Sequence, residues 1–314
     1  MKNFALIGAG GYIAPRHMKA IKETGNNLVV ATDKNDSVGV LDSYFPQTDF
    51  FIEFERFDRH VEKLKRLGED RQVHYVSICS PNYMHDSHIR FALRSGAHAI
   101  CEKPIALNPW NVDALKESES ISGLKVYNIL QLRLHPSIIS FKEKVQSLGS
   151  EKRDMELTYI TSRGNWYQYS WKGVAEKSGG IATNIGVHFF DMLHWIFGEV
   201  QENQLHHIDD KRASGYLEFE KARVKWFLSI DANDLPVEAK LKGQRTYRSF
   251  KFDEKEVEFS SGFEDLHTKV YQDIINGGGF GLDDARASIQ IVHDIRNAIP
   301  KKDPNRLHPF MNIR

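Results

Sequence analysis

The chain has 314 residues, enough for about two domains. Its 42 lysines and arginines balance 42 aspartates and glutamates, which excludes the broad basic surface of a nucleic-acid-binding protein. Hydrophobic residues make up 41% of the sequence and aromatic ones 11%, sufficient for packed cores and against disorder, while no run reaches the roughly 20 apolar residues of a membrane helix.

The two cysteines, Cys79 and Cys101, form no CxxC, so neither a disulfide framework nor a zinc module is expected. They read as small buried residues, and no metal is assigned. The opening MKNFALIGAGG has too short an apolar stretch, and too charged a continuation, for a secretory signal. A cytoplasmic location is the expectation.

Through residue 132, short apolar runs alternate with amphipathic stretches. Strands are predicted at Phe4–Ile7, Leu28–Ala31, Val73–Cys79, Ala97–Cys101 and Lys125–Leu130. Helices are predicted at Tyr12–Thr24, Phe54–Leu67, His85–Ser95 and Trp110–Ser120. Apolar strands separated by helices point to a parallel sheet covered on both faces. Beyond Leu132 the rhythm changes. Helices are expected at Ser137–Ser147, Ile185–Phe197, Phe263–Ile275 and Asp283–Ala298. Strands are expected at Met155–Ser162, Leu217–Phe219, Val224–Ile230 and Val237–Lys242. Strands grouped without helices between them suggest a mainly antiparallel sheet. The fold class is therefore α/β, with an N-terminal Rossmann domain over 1–132. A C-terminal α+β domain over 133–314 is expected to bind substrate and to mediate oligomerisation.

The segment Gly8-Ala9-Gly10-Gly11-Tyr12-Ile13-Ala14 follows the first strand and opens a helix. A dinucleotide turn needs glycine where backbone approaches a pyrophosphate, and free helix N–H groups to hold it. G-x-G-x-x-G does not fit, because its third position is Ile13. Gly8, Gly11 and Ala14 fit a G-x-x-G-x-x-A pattern, with Ala14 as the small residue at the helix–strand contact. Gly8, Gly10, Gly11, Tyr12 and Ile13 thus form the candidate cofactor turn; the alternative is a tight turn without a ligand. Asp33, just after the second strand, is placed to bind both ribose hydroxyls of NAD and to repel the 2′-phosphate of NADP. Lys34 beside it softens that discrimination. Arg16 and His17, just inside the helix, are open to either a ligand or solvent.

Ligands of open parallel sheets bind beyond the carboxyl ends of the strands. One such end is Ser77-Ile78-Cys79-Ser80-Pro81-Asn82-Tyr83-Met84-His85, which offers Ser80, Asn82 and His85 to the cofactor. The other is Cys101-Glu102-Lys103-Pro104. A lysine at a strand end loses hydration beside a cofactor, its pKa falls from about 10.4, and it becomes able to pass a proton. Taken alone, Glu102 and Lys103 also read as a solvated pair.

The glycine turn, Glu102-Lys103-Pro104 and Gly179-Gly180-Ile181-Ala182-Thr183-Asn184-Ile185-Gly186-Val187-His188 together resemble the Gfo/Idh/MocA oxidoreductases. The resemblance spans nearly the whole chain. It implies a Rossmann domain followed by a mainly antiparallel α/β domain, and oxidation or reduction of a sugar or cyclitol hydroxyl with NAD(P). It implies that Lys103 is the catalytic lysine and that His188 lies near the reacting hydroxyl. Four residues before the histidine the family often has Asp, and here stands Asn184. Asn can hydrogen-bond a hydroxyl but cannot take its proton, so the burden shifts to Lys103 and His188. If the segment is helical, Asn184 and His188 share a face.

A closer resemblance is to the bacterial UDP-N-acetylglucosaminuronate 3-dehydrogenases of O-antigen synthesis. It rests on Gly11–His17, Ser80–Tyr83, Gln131–Pro136, Gly164–Tyr167 and Ser170–Gly173. It implies oxidation of the C3 hydroxyl of a nucleotide sugar to a ketone, with 2-oxoglutarate regenerating NAD in some members. It also implies a homo-oligomer, with a tetramer favoured. Gln131, Trp171 and Lys172 join Glu102 and Lys103 as cofactor contacts, with Lys172 and Trp171 open equally to the sugar. Arg133, Arg163, Asn165, Trp166 and Tyr167 join Lys103, Asn184 and His188 as substrate contacts. The cations suit a carboxylate or a phosphate, and the aromatic rings suit a stacking wall or, equally, sheet packing. Two other readings stand beside this one: a dehydrogenase of another sugar or of inositol, and a cofactor-binding redox sensor without catalysis.

Overall fold

The computed structural model describes residues 1–149, 151–257 and 265–311. The chain divides into two compact units, Met1–Leu134 with Asp265–Arg286, and His135–Glu264 with Ala287–Arg314.

In the first unit, six strands form one sheet: β1 (Asn3–Ile7), β2 (Asn27–Thr32), β3 (Asp49–Phe51), β4 (Tyr75–Ile78), β5 (His98–Cys101) and β6 (Val126–Asn128). Their order is β3-β2-β1-β4-β5-β6, and every pairing is parallel. This is the Rossmann order, with its switch point between β1 and β4. All five residues of β1 are buried, as its central position requires. The register aligns the strand ends: Ile7 lies opposite Thr32 and Ile78, Ile78 opposite Cys101, and Cys101 opposite Asn128. Gly8, Asp33, Cys79 and Glu102, each one residue further on, are therefore delivered to the same edge.

The helices follow from their apolar spacing. Phe54–Arg66 buries Phe57, Val61 and Leu64 at intervals of four and three, and its last turn carries Lys63, Lys65 and Arg66 against the helix dipole. Ala14–Glu23 buries Ala14, His17, Met18, Ala20 and Ile21. Helix Leu266–Ile275 returns to this unit and buries Leu266, His267, Val270, Tyr271 and Ile274. Its Val270, Tyr271 and Ile274 join the core of Phe4, Leu6, Met18 and Ile21. The sequence division at 132/133 does not include this return, because an apolar stripe does not specify which sheet it will cover.

In the second unit the strands are β7 (Arg153–Thr161), β8 (Val200–Ile208), β9 (Arg212–Phe219), β10 (Ala222–Ser229), β11 (Thr246–Phe252) and β12 (Lys255–Glu256), in the order β12-β11-β7-β10-β9-β8. The neighbours pair antiparallel except for β7 with β10, which is parallel. One face of this sheet packs on helix Val187–Phe197. The Phe190 and Trp226 rings meet edge to face at 5.2 Å, and a Cβ on Gly186 would stand 2.6 Å from Leu228 Cδ1. On the other face Phe227 stacks on His308 and Phe310.

Two expectations need correction here. Val237–Leu241 is a short helix, not a strand: it follows Pro236, continues from Val237 with the good helix formers Glu, Ala, Lys and Leu, buries only Ala239 and leaves Leu241 83% exposed. The helix expected from Ile185 begins at Val187 and is preceded by a π-helical turn over Ala182–Gly186. Strands β3, β8, β11 and β12 were not anticipated. Residues 263–264 of the predicted helix Phe263–Ile275 lie outside the described residues.

Candidate active site

The turn after β1 is shaped by contacts that only glycine tolerates. Gly8 has φ +89°, and a Cβ there would lie 2.8 Å from the carbonyl carbon and oxygen of Cys79 and from the amide of Ser80. The Gly11 N–H donates to the Gly8 carbonyl at 3.0 Å, and the Ala14 N–H donates to Gly11 at 3.1 Å. Ala14 is fully buried in the helix–sheet core, as a small residue at that contact must be. Asp33 accepts the Gly10 N–H at Oδ2 (2.9 Å) and the Asn35 N–H at Oδ1 (2.9 Å), which pins its carboxylate beside the turn. Tyr12 is 86% exposed, and it and Ile13 stand at the helix N-terminus, where amides are not used by intrahelical bonds. A close backbone cradle, helix-terminal amides and a fixed carboxylate fit a dinucleotide with free ribose hydroxyls.

The ends of β4 and β5 are tied together. His85 is buried and directs Nδ1 to the Pro104 carbonyl (2.7 Å) and Nε2 to the Ser80 carbonyl (2.8 Å). Burial lowers its pKa. The Ser80 hydroxyl is joined to His88 Nδ1 at 2.8 Å. Ser80 and His85 thus use these groups to shape the edge on which a cofactor would rest, and Asn82 is buried in the short turn between them. The Lys103–Pro104 peptide is cis. Glu102 is buried, and its Oε1 accepts His17 Nε2 and His267 Nε2, each at 2.9 Å. His17, left open between ligand and solvent by the sequence, has no solvent exposure. Gln131, at the start of the turn after β6, has a buried carboxamide oxygen without a hydrogen-bond partner among the described residues. A buried orphan acceptor is what a bound polar group would satisfy.

Arg133 does not present an exposed cation. Its side chain is 4% exposed, its Nη1 pairs with Asp284 Oδ1 at 2.8 Å, and its Nη2 donates to the Asp284 carbonyl at 3.0 Å. Its charge is matched within the first unit, so it is not carried forward as a substrate ligand.

The remaining candidates belong to the second unit. Between Ile181 and Phe190 only Asn184 and His188 are half-exposed; the other eight residues are buried. The sequence spacing thus places both polar groups on one open face, and the π turn lies beneath Asn184. Asn184 Nδ2 donates to the Tyr167 hydroxyl at 2.6 Å. Tyr167 is 2% exposed, so it braces Asn184 from below and does not serve as an exposed stacking wall. Trp166 is 50% exposed, and Arg163 and Asn165 are also exposed. The Lys172 ammonium lies 4.5 Å from the Trp171 ring centroid and 5.6 Å from that of Trp166. Burial, with repulsion from Arg163, lowers the Lys172 pKa. Arg163, Asn165, Trp166, Trp171 and Lys172 therefore form one polar, aromatic, cationic surface.

Sequence reasoning missed His267 and Tyr271, which complete the buried contacts of Glu102 and His17. The available signal was a polar pair at i and i+4 within an otherwise apolar helical stripe.

The sequence matches the family model described as "Oxidoreductase family, NAD-binding Rossmann fold" over residues 2–128, and the model of that family's C-terminal alpha/beta domain over 153–290. The chain belongs to this Gfo/Idh/MocA oxidoreductase family. The WlbA (WbpB) dehydrogenase of Thermus thermophilus, solved in complex with NAD and alpha-ketoglutarate, is 49% identical with a TM-score of 0.95; the match covers 99% of this chain and 100% of that one. The same dehydrogenase with NAD and UDP-GlcNAcA aligns at 48% identity, again with a TM-score of 0.95 and with 99% and 100% covered. Among curated relatives, glucose-6-phosphate 3-dehydrogenase of Bacillus subtilis is 25% identical over 212 residues, 63% of this chain and 54% of that protein. Matches to other curated relatives span 59% and 38% of their lengths.

Proposed function

We propose that this protein oxidises the C3 hydroxyl of UDP-N-acetylglucosaminuronate to a ketone with NAD, and that 2-oxoglutarate serves to reoxidise the cofactor. The observation that carries this reading is the 48–49% identity, over 99% of the chain, to a Thermus dehydrogenase seen with NAD and with both small molecules. The chemistry of the site supports it. A nucleotide sugar with a carboxylate calls for cations beside aromatic rings, which the Arg163, Trp166, Trp171 and Lys172 surface supplies.

Bound NAD supplies the hydride acceptor. The chain's own residues do the rest. Gly8, Gly10 and Gly11 let the turn close on β4, on Asp33 and on itself, so that its amides would hold the pyrophosphate and Asp33 would receive the ribose hydroxyls. Gln131 offers its unpartnered oxygen to the cofactor. Lys103 takes the proton of the C3 hydroxyl, His188 shares that hydroxyl, and Asn184, braced by Tyr167, orients it. Base assistance of this kind contributes about 10²–10⁴-fold, and positioning contributes more. The product, a 3-keto sugar, suits an aminating step in the synthesis of a lipopolysaccharide sugar.

We further assign a homo-oligomer, a tetramer, in the cytoplasm. The support for the assembly is the resemblance to the family's oligomeric members, and the charged outer face of the second unit's sheet, with Asp154, Glu156, Arg223 and Lys251, is the surface it would cover. Among the described residues no helix is long and apolar enough to cross a membrane.

The test is incubation of the purified protein with UDP-N-acetylglucosaminuronate, with and without 2-oxoglutarate, following nicotinamide absorbance and sugar mass. The proposal expects loss of two hydrogens from the sugar, in excess over enzyme only when 2-oxoglutarate is present or NAD is in excess. Oxidation of free inositol but not of the nucleotide sugar would replace the substrate. Cofactor binding with no turnover of any sugar would favour the sensor reading.

A further inference from the structure

Beneath the strand end that carries Lys103 lies a buried polar chain. The Ser77 hydroxyl meets the Tyr271 hydroxyl at 2.6 Å, Tyr271 meets His17 Nδ1 at 2.6 Å, and His17 Nε2 meets Glu102 Oε1 at 2.9 Å. His267 Nε2 meets the same Oε1 at 2.9 Å, and the Lys103 N–H donates to Glu102 Oε2 at 3.2 Å. Every side chain in the chain is buried. Burial alone raises the Glu102 pKa, but the bonds from His17 and His267 overcome it and hold the carboxyl well below its usual range. Burial lowers the pKa of His17 against the pull of Glu102. An ionised Glu102 only accepts, so His17 carries a proton on Nε2, and the neutral ring that burial favours accepts at Nδ1. Tyr271 then donates to His17, and Ser77 donates to Tyr271. With His17 neutral, this assignment satisfies each member.

Two imidazoles from separate helices, Ala14–Glu23 and Leu266–Ile275, thus converge on one oxygen of a strand-end carboxylate whose other oxygen holds the Lys103 amide. We propose that His17, His267 and Tyr271 are positioning residues for Lys103: they fix the Glu102 carboxylate, and the carboxylate fixes the backbone from which the lysine extends. The role rests on the reading that Lys103 transfers the proton. It also gives the returning helix a function, since residues 1–134 alone lack two of the three groups that complete the clamp.

His17, Glu102 and His267 also have the composition of a metal site, with donor atoms within 4.8 Å of one another. The hydrogen bonds argue against that use, because both Nε2 atoms carry protons directed at Glu102 and offer no lone pair there.

The test uses the full chain with two variants. His267→Phe keeps a ring against His17, whose own ring lies 5.1 Å away, and removes the donor. His267→Gln restores an N–H near the position of Nε2. The expected result is a fall in kcat of about 10–100-fold for His267→Phe, from misplacement of the reacting group, with KM for NAD within about twofold of wild type. His267→Gln should recover kcat to within about fivefold, as a restored hydrogen bond would. Unchanged kcat per folded molecule in His267→Phe, with only a lower melting temperature, would overturn the proposal.

A second arm does not depend on the substrate. Spectra of the protein labelled with ¹⁵N-histidine and ¹⁵N-lysine should show His17 and His267 protonated at Nε2, and His267→Phe should displace the Lys103 amide resonance. A His17 tautomer protonated at Nδ1, or replacement of both Nε2–H signals on adding Zn²⁺, would overturn the clamp. Should wild type fail to oxidise the nucleotide sugar, the substrate assignment falls and these spectra alone decide the clamp.

Discussion

Gly8→Ala is the sharpest probe of the cofactor turn. The perturbation has two separable parts. The backbone at φ +89° lies where an L side chain costs about 1–2 kcal/mol. The new methyl would then stand 2.8 Å from backbone atoms of Cys79 and Ser80, which must retreat to the 3.4 Å of ordinary contact. Those atoms directly follow β4 and are tied to β1 through the Cys79 N–H and the Ile7 carbonyl at 2.8 Å. Displacing packed backbone adds about 1–3 kcal/mol, for a total of about 2–5 kcal/mol. At about 2–4 °C per kcal/mol, the melting temperature of the first unit should fall by about 4–20 °C. Gly25→Ala is the control: its φ is +72°, but nothing lies within 4 Å of its added Cβ, so only the backbone part remains. Melting curves and NAD titrations of both variants make the comparison. If Gly8→Ala loses no more stability than Gly25→Ala and binds NAD as wild type does, the close approach of β4 to the turn is not what requires glycine there.

Lys103→Met should abolish turnover and leave NAD binding within about threefold, since the glycine turn and Asp33 are untouched; near-normal turnover would end its assignment as the proton acceptor. Arg133→Ala should lower stability by about 2–3 kcal/mol, toward the lower end for a broken buried pair because Asp284 is 39% exposed, with little change in KM for the sugar; a large rise in KM would return Arg133 to the substrate site. Acid should unfold the protein in a defined window. Burial lowers His88 to about 4 and His308 to about 3 from 6.5, so both rings are neutral when folded. Their contribution is complete above about pH 6.5 and is lost as pH falls from 6.5 toward 4, because the unfolded chain then binds more protons. Each ring gives the unit that holds it a slope of about 1.4 kcal/mol per pH unit near pH 5. Stability measured by urea at pH 7 and pH 5 checks this, and equal values would contradict it.

Much of the first unit was legible because its strands are short, apolar and bounded by glycine or polar turns. Phe4–Ile7 and Ala97–Cys101 differ from the observed strands by a single residue at the start. The strand ends follow from the same pattern, so Gly8, Asp33, Glu102 and Lys103 were placed on one edge without a structure. The second unit was harder. Strand β8, VQENQLHHI, has a polar run at its centre and little visible alternation. Val237 and Leu241 look strand-like as letters but bracket a turn of helix. Side-chain partners were the least legible part. Nothing in Leu132-Arg133-Leu134 announces Asp284, which is distant in sequence, and Tyr167 reads equally well as a stacking surface or as the buried brace it is. His267 escaped notice because its partner, Glu102, arrives on a strand from the other end of the chain.

The central claim is that this protein removes hydride from C3 of the nucleotide sugar. UDP-N-acetylglucosaminuronate carrying deuterium only at C3, incubated with the enzyme and NAD, tests it directly by mass spectrometry of the cofactor. The account predicts reduced nicotinamide one mass unit heavier than normal and a sugar free of label. Deuterium retained in the sugar while the cofactor is reduced would contradict it.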